Sequence, residues 1–216
     1  MLKTKVKASS ITNLTDARYF AAWEVEWLGF NFDPMAEDYI QPQVMKAIKE
    51  WVDGVKIVGE FSMQPAEEIQ EAIKLLELEA IQLSPFYTTE QVATLDVSVP
   101  IIQEIIISPE HSQEDILDTL ESYHGLAQYF LLNFDKNGIS WESIKNGNFL
   151  SSSFVSSISE TFPFIISIDV QAEEIDNLLE KVQPAGLNLK GGEEEKVGFK
   201  SFDELDDIFE ALEVLI

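Results

Sequence analysis

Eight short runs rich in β-branched, aliphatic and aromatic residues recur along the chain, at 5–9, 27–32, 55–61, 80–83, 100–107, 128–133, 164–167 and 186–189. Most are near-continuously apolar rather than alternating, the pattern of strands covered on both faces. Between them the apolar positions fall three and four apart. Ile69, Ala72, Ile73 and Leu76 do so after Pro65, a residue suited to the first helical position. Ile175, Leu178, Leu179 and Val182 repeat the spacing, and Leu205, Ile208, Phe209 and Leu212 close the chain. Buried strands alternating with amphipathic helices predict a parallel sheet covered by helices. Eight of them predict closure into an α/β (β/α)8 barrel, the TIM-barrel architecture, in a single domain spanning 1–216. The serine-rich stretch at 151–157 is interleaved with Phe154, Val155 and Ile158, so it reads as a helix or loop over the barrel and not as a hinge.

Composition then removes whole classes of function. A hydrophobic content of 45% and a mean hydropathy of -0.01 fit a folded globular chain. There is no basic, apolar leader and no apolar stretch long enough to span a bilayer, so the chain is read as cytoplasmic with no membrane partner. The absence of cysteine removes disulfides, thiolate nucleophiles and cysteine-based metal sites. Asp and Glu number 39 against 14 Lys and Arg, a net charge of -25. A field of that sign disfavours nucleic acid, and it opposes a phosphorylated ligand unless local donors override it. Most of the acids lie in helical stretches such as 65–79, where they read as solvated faces.

Motifs carry the argument further. The first strand and its turn read Lys7-Ala8-Ser9-Ser10-Ile11-Thr12-Asn13-Leu14-Thr15-Asp16-Ala17, and the second gives Leu28-Gly29-Phe30-Asn31-Phe32-Asp33-Pro34. Tyr39, Ile40 and Pro42 follow, then Val58-Gly59-Glu60-Phe61 with Pro65 and Glu67, Ala80-Ile81-Gln82-Leu83, Pro100-Ile101-Ile102, and Phe130-Leu131-Leu132-Asn133 with Trp141. In order and spacing this series resembles the phosphoribosylanthranilate isomerase family: K-I-C-G-I-T-N-x-x-D-A, L-G-F-x-F-x-P, R-Y-V-x-P, V-G-V-F, A-V-Q-L-H, P-V-I-K and F-L-L-D. The resemblance spans nearly the whole chain. It implies the Amadori rearrangement of an N-linked phosphoribosyl anthranilate in tryptophan biosynthesis, which needs an acid to open the ribose ring and a base to remove the C2 proton. It further implies a strand-one cysteine as base, a strand-six aspartate as acid, an anchoring arginine after strand two, and phosphate held at the turns after strands seven and eight.

Carried over residue by residue, the resemblance places other chemistry at those positions. The base position is Ser9 and the glycine after it is Ser10; the acid position is Asn133; the arginine position is Asp38. A serine hydroxyl has no accessible anion near neutral pH without a partner, an amide transfers no proton, and a carboxylate repels an anthranilate carboxylate. The family histidine falls at Ser84 and the lysine at Gln103, while the one arginine, Arg18, belongs to the first helix. Ile168 and Asp169 stand for the double glycine after strand seven. The strand-six loop shrinks to Asp135-Lys136-Asn137-Gly138, and only Lys190-Gly191-Gly192 after strand eight keeps an anion-cradling character. The run Glu193-Glu194-Glu195 reads as stabilising the N-terminus of a following helix.

The leading reading is therefore a family barrel that is catalytically degenerate, or repurposed to bind a small ligand with phosphorylated compounds among the candidates. The alternative is a working isomerase with substituted catalytic groups, and a third reading is a non-catalytic interaction protein of the pathway. No cofactor and no metal is expected, and the chain is expected to be a monomer or homodimer. Glu60, Glu104, Asp135 and Asp169 all fall near strand C-termini, but a one-residue register change would reverse which of them face the mouth. His111 and His124 lack ligand spacing, and Ser9 and Ser10 have no G-x-S-x-G context.

Overall fold

Eight parallel strands follow one another in chain order round a closed barrel in the computed structural model, which describes residues 1–191, 194–196 and 199–214. They are β1 (Lys5–Ser9), β2 (Trp27–Asn31), β3 (Lys56–Phe61), β4 (Ala80–Leu83), β5 (Ile101–Ile106), β6 (Tyr129–Asn133), β7 (Phe164–Ser167) and β8 (Gly186–Lys190). Closure comes from β8 pairing with β1, from Lys5 opposite Gly186 to Ser9 opposite Lys190. A Cβ on Gly186 would stand 2.8 Å from the Lys5 carbonyl oxygen, so only glycine fits where the last strand meets the first. The strands lie within a residue or so of the runs seen in the sequence. β5 begins after Pro100, which has no N–H to give the ladder.

The helices wrap the barrel: α1 (Leu14–Ala22), α2 (Pro42–Lys49), α3 (Ala66–Leu76), α4 (Thr89–Thr94), α5 (Gln113–Ser122), α6 (Trp141–Lys145), α7 (Ser152–Ser159), α8 (Ile175–Val182) and α9 (Asp203–Leu212). The serine-rich stretch is α7, capped by the Ser151 hydroxyl and burying Phe154, Val155 and Ile158. Pro65 is the N-cap of α3, one position before the expected place. Asn13 of the I-T-N motif caps α1 by accepting the Asp16 N–H at 3.0 Å, which explains that part of the motif structurally.

One feature differs from the expectation. Between β8 and α9 lie two short antiparallel strands, β9 (Glu194–Lys196) and β10 (Phe199–Lys200). Glu194 and Glu195 thus belong to a strand and not to the approach of a helix, and α9 carries its own first-turn acids, Asp203, Glu204 and Asp206. Glu193, and with it Gly192, lies outside the described residues.

Two apolar layers hold the fold. The larger joins the outer strand faces to the helices, with Phe20, Met45, Ile69, Ile116, Phe164, Leu178 and Phe209 among its buried members. The smaller fills the barrel itself with Trp27, Val58, Ala80, Ile102, Leu131 and Ile165. No helix among the described residues is long and apolar enough to cross a membrane.

Candidate functional site

The step from core to site is a two-residue step along the strands. Because strand side chains alternate, the next inward positions after Trp27, Val58, Ala80, Ile102, Leu131 and Ile165 are Gly29, Glu60, Gln82, Glu104, Asn133 and Ser167. On these six strands the inward layer beneath is apolar, and the next level up is polar apart from Gly29. It opens at the C-terminal strand ends into a cavity of about 350 Å³, in whose wall stand Ser9, Asp38, Glu60, Gln82, Glu104, Asn133, Lys136, Asn188 and Lys190.

Ser9 sits in a buried network at the base of this cavity. The fully buried Lys7, two residues back on β1, donates from Nζ to Ser9 Oγ at 2.6 Å and forms an ion pair with Glu60 Oε1. Ser9 Oγ lies 3.1 Å from Glu60 Oε1 and donates to Asn188 Oδ1 at 2.6 Å. Asn188 Nδ2 donates to Ser167 Oγ at 3.1 Å, and Ser167 donates to Asp135 Oδ2 at 2.6 Å. The pair fits because position 29 has no side chain: a Cβ there would overlap Glu60 Oε1 and stand 2.8 Å from Lys7 Nζ. A charge this deep is tolerated only when paired and hydrogen-bonded, and both conditions hold.

A second charged pair faces the first from β5 and β6. Asn133 Nδ2 donates to Glu104 Oε1 at 2.7 Å, and Lys136 Nζ pairs with the same oxygen at 2.9 Å. The Lys136 N–H also donates to Asn133 Oδ1 at 3.2 Å, so both ends of the amide are used. Asp38 is half-buried on the rim, accepting from Asn31 Nδ2 at 2.8 Å and from Ser10 Oγ at 2.6 Å. Ser10 has φ of 60°, the left-handed region that glycine enters freely. Gln82, 8% exposed, keeps Oε1 without a partner.

Of the four acids left open by the sequence, Glu60 and Glu104 face the mouth. Asp135 is tied to Ser167 beside it, and Asp169 is exposed and lines a separate cavity with Trp141, Glu142 and Lys145. Asp169, expected among the ligand-binding positions, thus stands outside the wall of the mouth. β7 ends at Ser167, and beyond it the Asp169 carbonyl accepts the Trp141 N–H at 2.8 Å, which draws the segment towards α6. Lys190 reaches the mouth and Gly191 follows it, half-buried. Ser84 lines the mouth but donates to the Ser62 carbonyl at 2.6 Å, while Gln103 points away from it. Lys7, Gln82 and Lys136 were named in the sequence only as members of motif stretches, without a role, and Asn188 was not named at all. The available signal was the two-residue spacing from Lys7 to Ser9 and from Ala80 to Gln82.

Known proteins resemble this chain over nearly its whole length. The family model described as N-(5'-phosphoribosyl)anthranilate (PRA) isomerase matches residues 6–211. The chain belongs to the phosphoribosylanthranilate isomerase family. A relative from Rhizobium etli, an N-(5'-phosphoribosyl)anthranilate isomerase, is 26% identical over 191 residues, covering 86% of this chain and 83% of its own. The phosphoribosyl anthranilate isomerase of Thermus thermophilus superimposes with a TM-score of 0.74 at 25% identity, over 96% of this chain and 98% of its own. Another phosphoribosyl anthranilate isomerase, solved in complex with reduced 1-(o-carboxyphenylamino)-1-deoxyribulose 5-phosphate, has a TM-score of 0.75 at 22% identity, over 97% and 98% of the two chains. The fold and the family expected from the motifs are thereby shown.

Proposed function

We propose that this barrel is an Amadori-type isomerase of a phosphorylated N-glycosylamine, with proton transfer carried by lysine–carboxylate pairs in place of the usual side chains. This is the second of the sequence readings, and the comparisons favour it over a degenerate barrel because the matched relatives bear the isomerase name. One observation carries it: the two substituted acid–base positions each adjoin a buried carboxylate held by a lysine. Ser9 lies against Lys7–Glu60, and Asn133 against Lys136–Glu104. The Glu60 carboxylate, fixed at the base of the cavity, is the group to take the C2 proton. The Lys136 ammonium, held by Glu104 at the opposite wall, is the group to protonate the ring oxygen on opening. Lys190, at the end of β8 in the wall of the mouth, offers a cation for phosphate.

The test is a steady-state assay of N-(5'-phosphoribosyl)anthranilate isomerisation. Acid–base groups contribute about 10²–10⁴-fold each, so Glu60→Gln and Lys136→Met should each lower kcat by about that much. Ser9→Ala, which removes a group assigned no proton, should lose far less. Absence of turnover in the wild-type chain, or equal activity in Glu60→Gln, would overturn the assignment. A repurposed binding barrel is favoured by one specific feature, Asp38 on the rim where a guanidinium is implied. Saturable binding of a neutral sugar derivative without turnover would support that reading instead.

A further inference from the structure

Gln82 stands on β4 between the two carboxylates of the mouth. It lies opposite Glu60 of β3, and Glu104 of β5 is two residues beyond its other strand partner, Ile102. Glu60 is tied to Lys7, and Glu104 to Asn133 and Lys136. An amide set between two carboxylates is well placed to donate to one of them, yet Gln82 makes no hydrogen bond to any described residue. Its Oε1 is closed off from solvent, whereas Nε2 is not, so the N–H pair opens on the mouth, in whose wall the residue stands.

Buried polar groups are normally paired, so an amide bonded to the protein at neither end is unusual at this depth. A purely structural glutamine here would turn its N–H pair to a carboxylate. This one keeps it towards the cavity, with Oε1 left unpaired as the consequence. The N–H pair is thus free for a ligand acceptor, and its position names which one. On one side stands Glu60, assigned above to the C2 proton. On the other, Glu104 holds Lys136, assigned to the ring oxygen, which is bonded to C4. C3 is the carbon that joins C2 to C4, so a donor between the two groups meets the oxygen on C3.

We propose that Gln82 is a specificity-determining residue, whose Nε2 donates to the C3 hydroxyl of the sugar and so selects a substrate that carries one. This rests on the isomerase reading, which places C2 at Glu60 and the ring oxygen at Lys136. The contact takes no part in proton transfer, because the C3 hydroxyl is neither formed nor broken in the rearrangement. Gln82 acts by holding the sugar so that C2 meets Glu60.

Ribose 5-phosphate and 3-deoxyribose 5-phosphate are the probes, titrated calorimetrically against the full chain, with turnover of N-(5'-phosphoribosyl)anthranilate measured alongside. The wild type should bind the 3-deoxy sugar about tenfold more weakly, the worth of one hydrogen bond. Gln82→Met, close in volume and without a donor, should lower the affinity for ribose 5-phosphate about tenfold and leave that for the 3-deoxy sugar unchanged. A merely structural role would weaken both. Should that variant fail to fold, Gln82→Asn, which draws the amide back by one methylene, should show the same selective loss. Crystals soaked with ribose 5-phosphate should place its C3 oxygen within hydrogen-bond distance of Nε2. Equal wild-type affinities for the two sugars, no saturable binding of ribose 5-phosphate, equal losses in Gln82→Met, or another hydroxyl on Nε2 would overturn the role of Gln82, even where Glu60→Gln abolishes turnover and the isomerase reading stands. A wild type that discriminates the sugars but turns nothing over would overturn the isomerase reading and leave the Gln82 contact.

Discussion

Lys7 and Glu60 are the residues on which the polar half of the barrel turns. With Lys7 fully buried and Glu60 8% exposed, neither charge is screened by water, so removing one leaves the other uncompensated. Lys7→Met should destabilise the fold by about 3–5 kcal/mol, whereas Lys7→Met with Glu60→Leu should recover most of that loss. Urea unfolding of the wild type, the two single variants and the double variant decides it, and additive losses would show that the pair is not coupled. At this scale the sequence was half legible. Ser9, Asn133 and Asp38 could be named because they sit at motif positions, and all three line the mouth. Asp169 was named on the same ground and does not, because a motif position after a strand end follows whatever the next segment binds, here the Trp141 N–H. The partners that give Ser9 and Asn133 their setting come from other strands, and alternation within one strand says nothing about which residue of another it will meet.

Elements were more legible than their neighbours in space. The barrel strands announced themselves because burial on both faces demands continuous apolar residues, and the amphipathic spacing of α3, α8 and α9 is the spacing of the residues they bury. β9 and β10 were not seen, since Glu194–Lys196 is a charged run without an apolar face to mark it. Caps are local enough to be tested singly. In α5 the Ser112 hydroxyl accepts the Asp115 N–H at 3.1 Å, while the Asp115 carboxylate accepts the Ser112 N–H and O–H at 2.8 and 2.6 Å. Those two donations hold the Asp115 carboxyl below its ordinary value. A lowered carboxyl stabilises the folded state above its unfolded value, about pH 3.9, and the contribution fades as pH falls through the lower folded value. Asp115→Asn should therefore melt below wild type at pH 7, with the gap closing in acid as pH falls through the lowered folded value. A gap that stays constant with pH would remove the carboxylate from the cap.

Over the whole molecule the charge is strongly one-sided while the mouth is nearly balanced. Lys7, Lys136 and Lys190 stand against Glu60, Glu104 and Asp38 there, so no local positive field draws in an anion from a distance. The remaining surface, with a net charge of -25 for the chain, repels one. A phosphorylated substrate must therefore approach against the long-range field and be held by short-range contacts once inside. The two ranges respond differently to salt: the screening length shrinks from about 30 Å at 0.01 M to about 8 Å at 0.15 M, while buried pairs such as Lys7–Glu60 are little affected. For the isomerase assigned above, kcat/KM for the substrate, which bears a phosphate and a carboxylate, should rise across that range while kcat stays level, the reverse of an enzyme that steers its anion with a basic mouth. Initial rates at several ionic strengths make the measurement. A kcat/KM that falls with salt would mean that Lys190 attracts the phosphate from afar, and that the acidic surface is too distant from the mouth to matter.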